Sequence, residues 1–346
     1  MAATETTRFW VGASTLGALG SPARGIRSLE VAADGSVTLG EPVDVGPNPM
    51  YLAISEATRV LGVVHELPEG RVSTWTLDGD LLTPFGPTGE TGSGDPCFVA
   101  FDEAGSWLFA ANYSGGRLTA HPVAPDAPSD AVFSIAFAGS GANPERQASP
   151  HPHQAVVDAA RDRLLVPDLG SDRIRVLALQ DLPAGLAHAD ADDLAVHAGA
   201  GPRHLVITGD VAIVANELDR TVSVIDLVEG RELAWAPVDA SVAARRMGVS
   251  AIRITRAGTV LIGDRDADAL VALRHDHGSN TLEHVASVPT GGRHPRDLHL
   301  THDERFALVA DQASDSIAVI ALEDGVPVNV VETISTPAPA CLARVP

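Results

Sequence analysis

The feature that most constrains this chain is that it repeats itself about every 48 residues. The recurring unit is an alternating strand, a tight turn, a second apolar strand ending in a polar residue, a short Gly/Ser/Asp turn and a third alternating strand. It is legible in FVAFDEAGSWLFAANYSGGRLTAHPV from Phe98, AVVDAARDRLLVPDLGSDRIRVLAL from Ala155 and HLVITGDVAIVANELDRTVSVIDL from His204. It returns in AIRITRAGTVLIGDRDADALVALRHD from Ala251 and DLHLTHDERFALVADQASDSIAVIAL from Asp297, and more loosely from Tyr51. The polar residue closing the second strand serves as a ruler. His65, Asn112, Asp168, Asn216, Asp264 and Asp311 follow one another at 47, 56, 48, 48 and 47 residues, so one connection is longer than the others.

At that period 346 residues hold about seven units. Six are visible, and the seventh is expected to combine FWVGAST near the N-terminus with ACLARV from Ala340. Apolar residues alternate with period two, as at Val222 and Val224 or Ile317 and Val319, which specifies strand and not helix. The 32 glycines and 24 prolines fall mainly between the apolar runs, which disfavours a helical solenoid. The expectation is one all-β domain over residues 1–346, a seven-bladed β-propeller of four-stranded antiparallel blades. Its ring would be closed by N- and C-terminal strands sharing one blade, which leaves no long open sheet edge.

Composition removes several function classes. All 24 basic residues are arginine and none is lysine, which excludes Schiff-base chemistry, the lysine of a Walker loop and serine–lysine nucleophiles. A net charge of −21 argues against nucleic acid and anionic membrane surfaces as partners. The two cysteines, Cys97 and Cys341, make neither a disulfide framework nor a paired-cysteine metal motif. The opening residues lack a basic and apolar leader pattern, and no apolar run reaches about 18 residues, so a soluble cytoplasmic protein is expected.

In an antiparallel blade the start of the first strand and the end of the second lie at the same end. The loops leading into first strands read GPNPMYL, SPHPHQAV, GAGPRHLV, VSAIRIT and GRHPRDLHL, and the turns leaving second strands read ANYSGG, PDLGSD, ANELD, GDRDAD and ADQASD. These two sets carry His151, His153, Arg203, His204, Arg253, Arg296, Asp297, Asn112, Asp168, Glu217, Asp264 and Arg265 to one face. Turns such as DEAG, ITGD and THDE on the opposite face read as plain hairpins. Arginines and histidines gathered in so acidic a chain either pair with neighbouring carboxylates, for instance Arg203 with Asp168, or await an anion.

At these residues the chain resembles the lactonase family of seven-bladed propellers, which includes bacterial 6-phosphogluconolactonases and fungal carboxymuconate lactonizing enzymes. The motifs are NPMYLA, ANYSGG, SPHPH, VPDLGSDR, GPRHL, NELD, the IR at Ile252–Arg253, and PRDL, spread from near Gly46 to Gln312. The resemblance implies a lactone-opening site with His153 from HPH, Arg203 from GPRH, Glu217 from NEL and an arginine of the next blade, Arg253 or Arg265. Two positions depart from the family pattern: Ala251 replaces the glutamate of EIR, and Asp264 replaces the asparagine of SNR.

The same residues suit that chemistry on their own terms. Hydrolysing a lactone needs a base for water, an electrophile for the developing oxyanion and a proton for the leaving alkoxide. His153 can be the base because an imidazole titrates near neutrality. Arg203 can hold the oxyanion, and Glu217 can orient or relay. His151, His204, Arg253, Arg265, Arg296, Asp297, Asn112 and Asp168 are the candidate substrate-binding residues for a small anionic or sugar-lactone substrate. No cofactor is expected. A metal reading of His151 and His153 lacks an evident third ligand, and DRDAD from Asp264 lacks the glycine and final glutamate of a calcium loop. A lactone-forming cycloisomerase and a non-catalytic binding platform remain alternatives.

Overall fold

The structure, a computed structural model, describes residues 6–17, 19–125, 130–180, 182, 185–242 and 247–346. The chain is all-β, with seven antiparallel propeller blades; in six of them the strands sit in sequence order from one edge to the other, and in the seventh the C-terminal strand lies beside the N-terminal one. Five blades have four strands. In the remaining two the outermost strand is interrupted, so that Leu81–Pro84 and Gly89–Glu90 both pair with Arg71–Asp78, and Ala187–His188 and Leu194–Ala195 both pair with Arg173–Ala178. Among the described residues no helix is long and apolar enough to cross a membrane.

The chain divides into two compact units. One comprises Met1–Met50, Arg220–Val222 and Ala234–Val345, the other Tyr51–Asp219, Ser223–Leu233 and Pro346. Within the first unit the terminal strands share a blade as the sequence leads one to expect. Thr7–Ala13 pairs with Pro339–Arg344 on one side, placing Val11 opposite Leu342, and with Arg27–Val31 on the other. Because that sheet is completed only when the C-terminal strand arrives, the ends of the chain are stapled together.

The apolar runs are buried on both faces, and strict alternation divides them between two layers. In Phe306–Asp311, the side chains of Phe306, Leu308 and Ala310 pack with Phe9, Leu29 and Leu342, while Ala307 and Val309 pack with Leu261, Leu298 and Ile320. Every residue of that strand is buried. In the second unit Leu165, Ile174, Leu205, Val214 and Ile225 form an equivalent layer. At roughly 1.5–3 kcal/mol for each large apolar side chain removed from water, these layers are the main source of stability.

The ruler residues are structural. His65, Asn112, Asp168, Asn216, Asp264 and Asp311 are all 1% exposed or less, which makes a hydrogen-bond partner obligatory. Four find it seven or eight residues onward in the third strand. His65 bonds Ser73 (2.9 Å), the Asn112 amide donates to Thr119 Oγ1 (3.2 Å), Arg175 donates to Asp168 (2.7 Å), and the Asn216 amide donates to Ser223 (2.7 Å). Position 271 is valine and position 318 alanine, so Asp264 and Asp311 lack that partner. Arg220 supplies a cation to Asp264. Among the described residues Asp311 receives only the hydroxyl of Thr290, at 2.9 Å, and burial with the nearby charge of Asp268 pushes its pKa up to about 7.

Candidate active site

The second unit gathers five of the expected residues, and backbone chemistry explains how. In SPHPH, Pro150 and Pro152 remove two N–H donors, leaving those of His151 and His153. The first donates to Asp168 Oδ1 (2.7 Å) and the second to the Pro167 carbonyl (2.9 Å), while the Leu169 N–H donates to the His151 carbonyl (3.0 Å). The segment is thereby pinned to the end of the strand Arg163–Asp168. Asp168 acts as the pin: it also accepts from Gly170, Ser171 and Arg175.

Arg203 is set by a β-bulge. The pairing of Pro202–Thr208 with Val211–Asn216 shifts register between Pro202 and His204, and a bulge re-aims the residue inside it. Similar shifts recur between Val249 and Ile252 and between Pro295 and Asp297. The turn after Asn216 then folds back, with the N–H groups of Glu217 and Leu218 donating to the carbonyls of Gly201 and Ala200 at 2.8 and 3.0 Å. Gly201 permits this with φ +65° and no Cβ to strike Leu218. Glu217 Oε2 comes to lie 3.1 Å from Arg203 Nε.

From there the contacts run without a break. Arg203 Nη1 lies 3.4 Å from His204 Nε2, a contact in which the guanidinium can only be the donor. The His204 ring meets His153 edge-on (centroids 5.3 Å apart) and Phe98 (5.3 Å), and Phe98 packs against Tyr51 (4.2 Å). His153 is edge-on to Tyr113 (5.4 Å), and its Nδ1 is 3.7 Å from Cys97 Sγ. His151 stacks on Tyr113 (4.5 Å, interplanar angle 15°) and donates from Nδ1 to the Tyr113 carbonyl at 2.9 Å.

Tyr113, Arg146 and Cys97 are members of this cluster that the sequence reading did not pick out. Arg146 lies on the connection that lengthens one ruler interval to 56 residues, and that insertion was its only signal. Its Nη2 donates to Glu217 Oε1 (2.8 Å) and to the Tyr113 hydroxyl (3.2 Å). The neighbouring Gln147 is fully buried; its amide donates to the Leu169 carbonyl (2.8 Å) and to Asp172 (2.6 Å), which also accepts from Gly201 N–H (2.9 Å). The loop is therefore fastened to the backbone that carries Arg203. Burial works against the Arg146 charge, but Glu217 and Tyr113 outweigh it and raise its pKa. Burial, then the charge of Glu217, raises that of Tyr113, which stays protonated.

The other expected residues have different settings. Asn112 and Asp168 are fully buried and spend their hydrogen bonds on their own blades or on SPHPH. The alternative in which Arg203 pairs with Asp168 is not met: Asp168 takes Arg175, which reaches it diagonally from the adjacent strand, and Arg203 takes Glu217. In the first unit Arg253 donates to the Ile252 carbonyl (2.8 Å) and to Asp297 (3.5 Å), whose second oxygen accepts from Leu342 N–H (2.8 Å). Arg265 donates to the Val249 carbonyl at 2.9 Å, and Arg296 is half-buried at the start of Pro295–Leu300. Ala251 is fully buried in an apolar layer, and Asp264 is held by Arg220. Among the described residues His188, Asp190 and Asp193 bring ligand atoms within 4.8 Å. Asp193 already accepts from Arg175 and from Val176 N–H, however.

Comparisons with known proteins agree with this architecture. The family described as "Lactonase, 7-bladed beta-propeller" matches residues 8–344. A 6-phosphogluconolactonase of Yersinia pestis is 30% identical over 296 residues, 84% of each chain. The uncharacterized protein YwcC of Lactococcus lactis is 29% identical over 283 residues, covering 79% of this chain and 80% of that protein. The solved structure of the Pseudomonas aeruginosa periplasmic gluconolactonase superposes with a TM-score of 0.89 at 27% identity and 99% coverage of both chains. With a family match over nearly its whole length, this chain belongs to the seven-bladed β-propeller lactonases.

Proposed function

We propose that this protein hydrolyses a sugar lactone, with 6-phosphogluconolactone the leading substrate. The observation that carries the reading is the unbroken run His153–His204–Arg203–Glu217, which sets an imidazole base and an oxyanion-binding guanidinium on either side of His204. His153 takes a proton from water as the oxygen adds to the lactone carbonyl. Arg203 holds the oxyanion, with its fork fixed by Glu217, and the imidazolium returns the proton to the ring oxygen as the carbon–oxygen bond breaks. The names borne by the Yersinia and Pseudomonas relatives support the same reading.

No cofactor enters this scheme, so activity is expected to survive chelation by EDTA. We assign the reaction to the cytoplasm, supported by two buried cysteines, Cys97 and Cys341, that form no disulfide; cell fractionation checks that assignment. The function is tested by turnover on phosphorylated and plain sugar lactones with the enzyme-free rate subtracted at the same pH. If no lactone is opened faster than that background, the reading fails and a binding platform takes its place. Lactone formation from a muconate without lactone hydrolysis would instead assign the cycloisomerase.

A further inference from the structure

Arg146 and Arg203 both converge on Glu217, one on each carboxylate oxygen. Two guanidinium groups thus share one carboxylate in a protein whose net charge is −21. The two arginines differ in exposure. The Arg203 side chain is 3% exposed, whereas that of Arg146 is 39% exposed. Both side-chain bonds of Arg146 leave from Nη2, so its Nε and Nη1 make no hydrogen bond to any described residue. A half-exposed guanidinium anchored at Nη2 alone keeps charge-assisted donors at Nε and Nη1 for a second anion.

Resting on the lactonase reading above, we propose that Arg146 is a specificity-determining residue: it selects lactones that carry an anionic group, phosphate or carboxylate, through a donor at Nε or Nη1. Glu217 and Tyr113 hold Nη2, and the buried Gln147–Asp172 bond keeps the loop from moving away. The substrate anion pairs with the Arg146 guanidinium. A neutral lactone forgoes that contact. Losing a charge-assisted pair of this kind lowers apparent affinity by roughly 10- to 100-fold.

The test compares wild type, Arg146→Gln and Arg146→Lys on gluconolactone, its 6-phosphate, and glucarolactone, which carries a carboxylate. Wild type is expected to prefer the anionic lactones. Arg146→Gln should reduce the ratio of kcat/KM for anionic over neutral lactone by roughly 10-fold or more, mainly through KM, and Arg146→Lys should restore part of it. Retention of preference for one anionic lactone alone identifies whether phosphate or carboxylate is bound. An unchanged ratio in Arg146→Gln, or equal losses on all three substrates, overturns the inference and leaves Arg146 a support for Glu217. Should wild type open no lactone, the functional reading fails, and calorimetric binding of 6-phosphogluconate and gluconate against neutral sorbitol decides the inference separately. It survives only if Arg146→Gln weakens an anionic ligand and leaves sorbitol unchanged.

Discussion

Asp311→Asn should stabilise the protein above neutral pH, against the usual result of altering a fully buried residue. Asp311 is 0% exposed, and its Oδ2 has no hydrogen-bond partner among the described residues. It lacks the arginine that its counterparts Asp168 and Asp264 each possess. Burial raises its pKa from the ordinary 3.8 to about 7. The folded chain therefore binds this proton more tightly than the unfolded chain, and stability falls as pH rises from about 4 to about 7. At about 1.36 kcal/mol per pK unit, the full cost above pH 7 is ~4 kcal/mol, of which ~3 kcal/mol develops above pH 5. Unfolding 346 residues releases entropy of about 0.7 kcal/mol/K, so that ~3 kcal/mol corresponds to about 4 °C in Tm. Calorimetric Tm values for wild type and Asp311→Asn at pH 5 and pH 8 give the answer, since any fixed cost of the amide cancels between the two pH values. A variant whose Tm difference from wild type is the same at both pH values refutes the reasoning.

The remaining expectations concern the site and the ion pairs. His153→Ala should lower lactone hydrolysis by roughly 10² to 10⁴-fold, measured above the enzyme-free rate; Arg203→Lys should not rescue what Arg203→Ala loses, because lysine keeps the charge but not the planar fork. Arg175→Ala strands the Asp168 carboxylate, which is also the pin of SPHPH, and should cost about 3–5 kcal/mol by urea unfolding. His197 sits between Glu232 (2.9 Å) and Asp219 (2.7 Å); burial opposes its charge, but the two carboxylates raise its pKa. The stability it contributes is present below pH about 6.5 and lost as pH rises through the higher folded value. His197→Gln should therefore lower Tm at pH 5.5 more than at pH 9, and equal losses at both would remove the ion-pair explanation.

Strand periodicity, the 48-residue ruler and the split terminal blade were readable from residue order because each depends on local alternation and on counting. SPHPH, GPRH and NEL marked their loops for the same reason: prolines, a glycine at positive φ and polar turn residues constrain the backbone over a few positions. Which side chains then meet was decided elsewhere. Asn112 and Asp168 stood in the loops that carry the site, yet each is enclosed by its blade, because a buried polar group must bond whatever the neighbouring strand presents. Only the folded chain shows that Arg175 reaches Asp168, that Val271 and Ala318 leave Asp264 and Asp311 to find other partners, and that one obtains a cation while the other obtains a hydroxyl. Arg146 is the sharpest instance: it is 71 residues from Glu217 in sequence and 2.8 Å from it in space. Sequence pattern records what a residue does to its own backbone; ion pairs between distant loops depend on how blades pack, which no local pattern encodes.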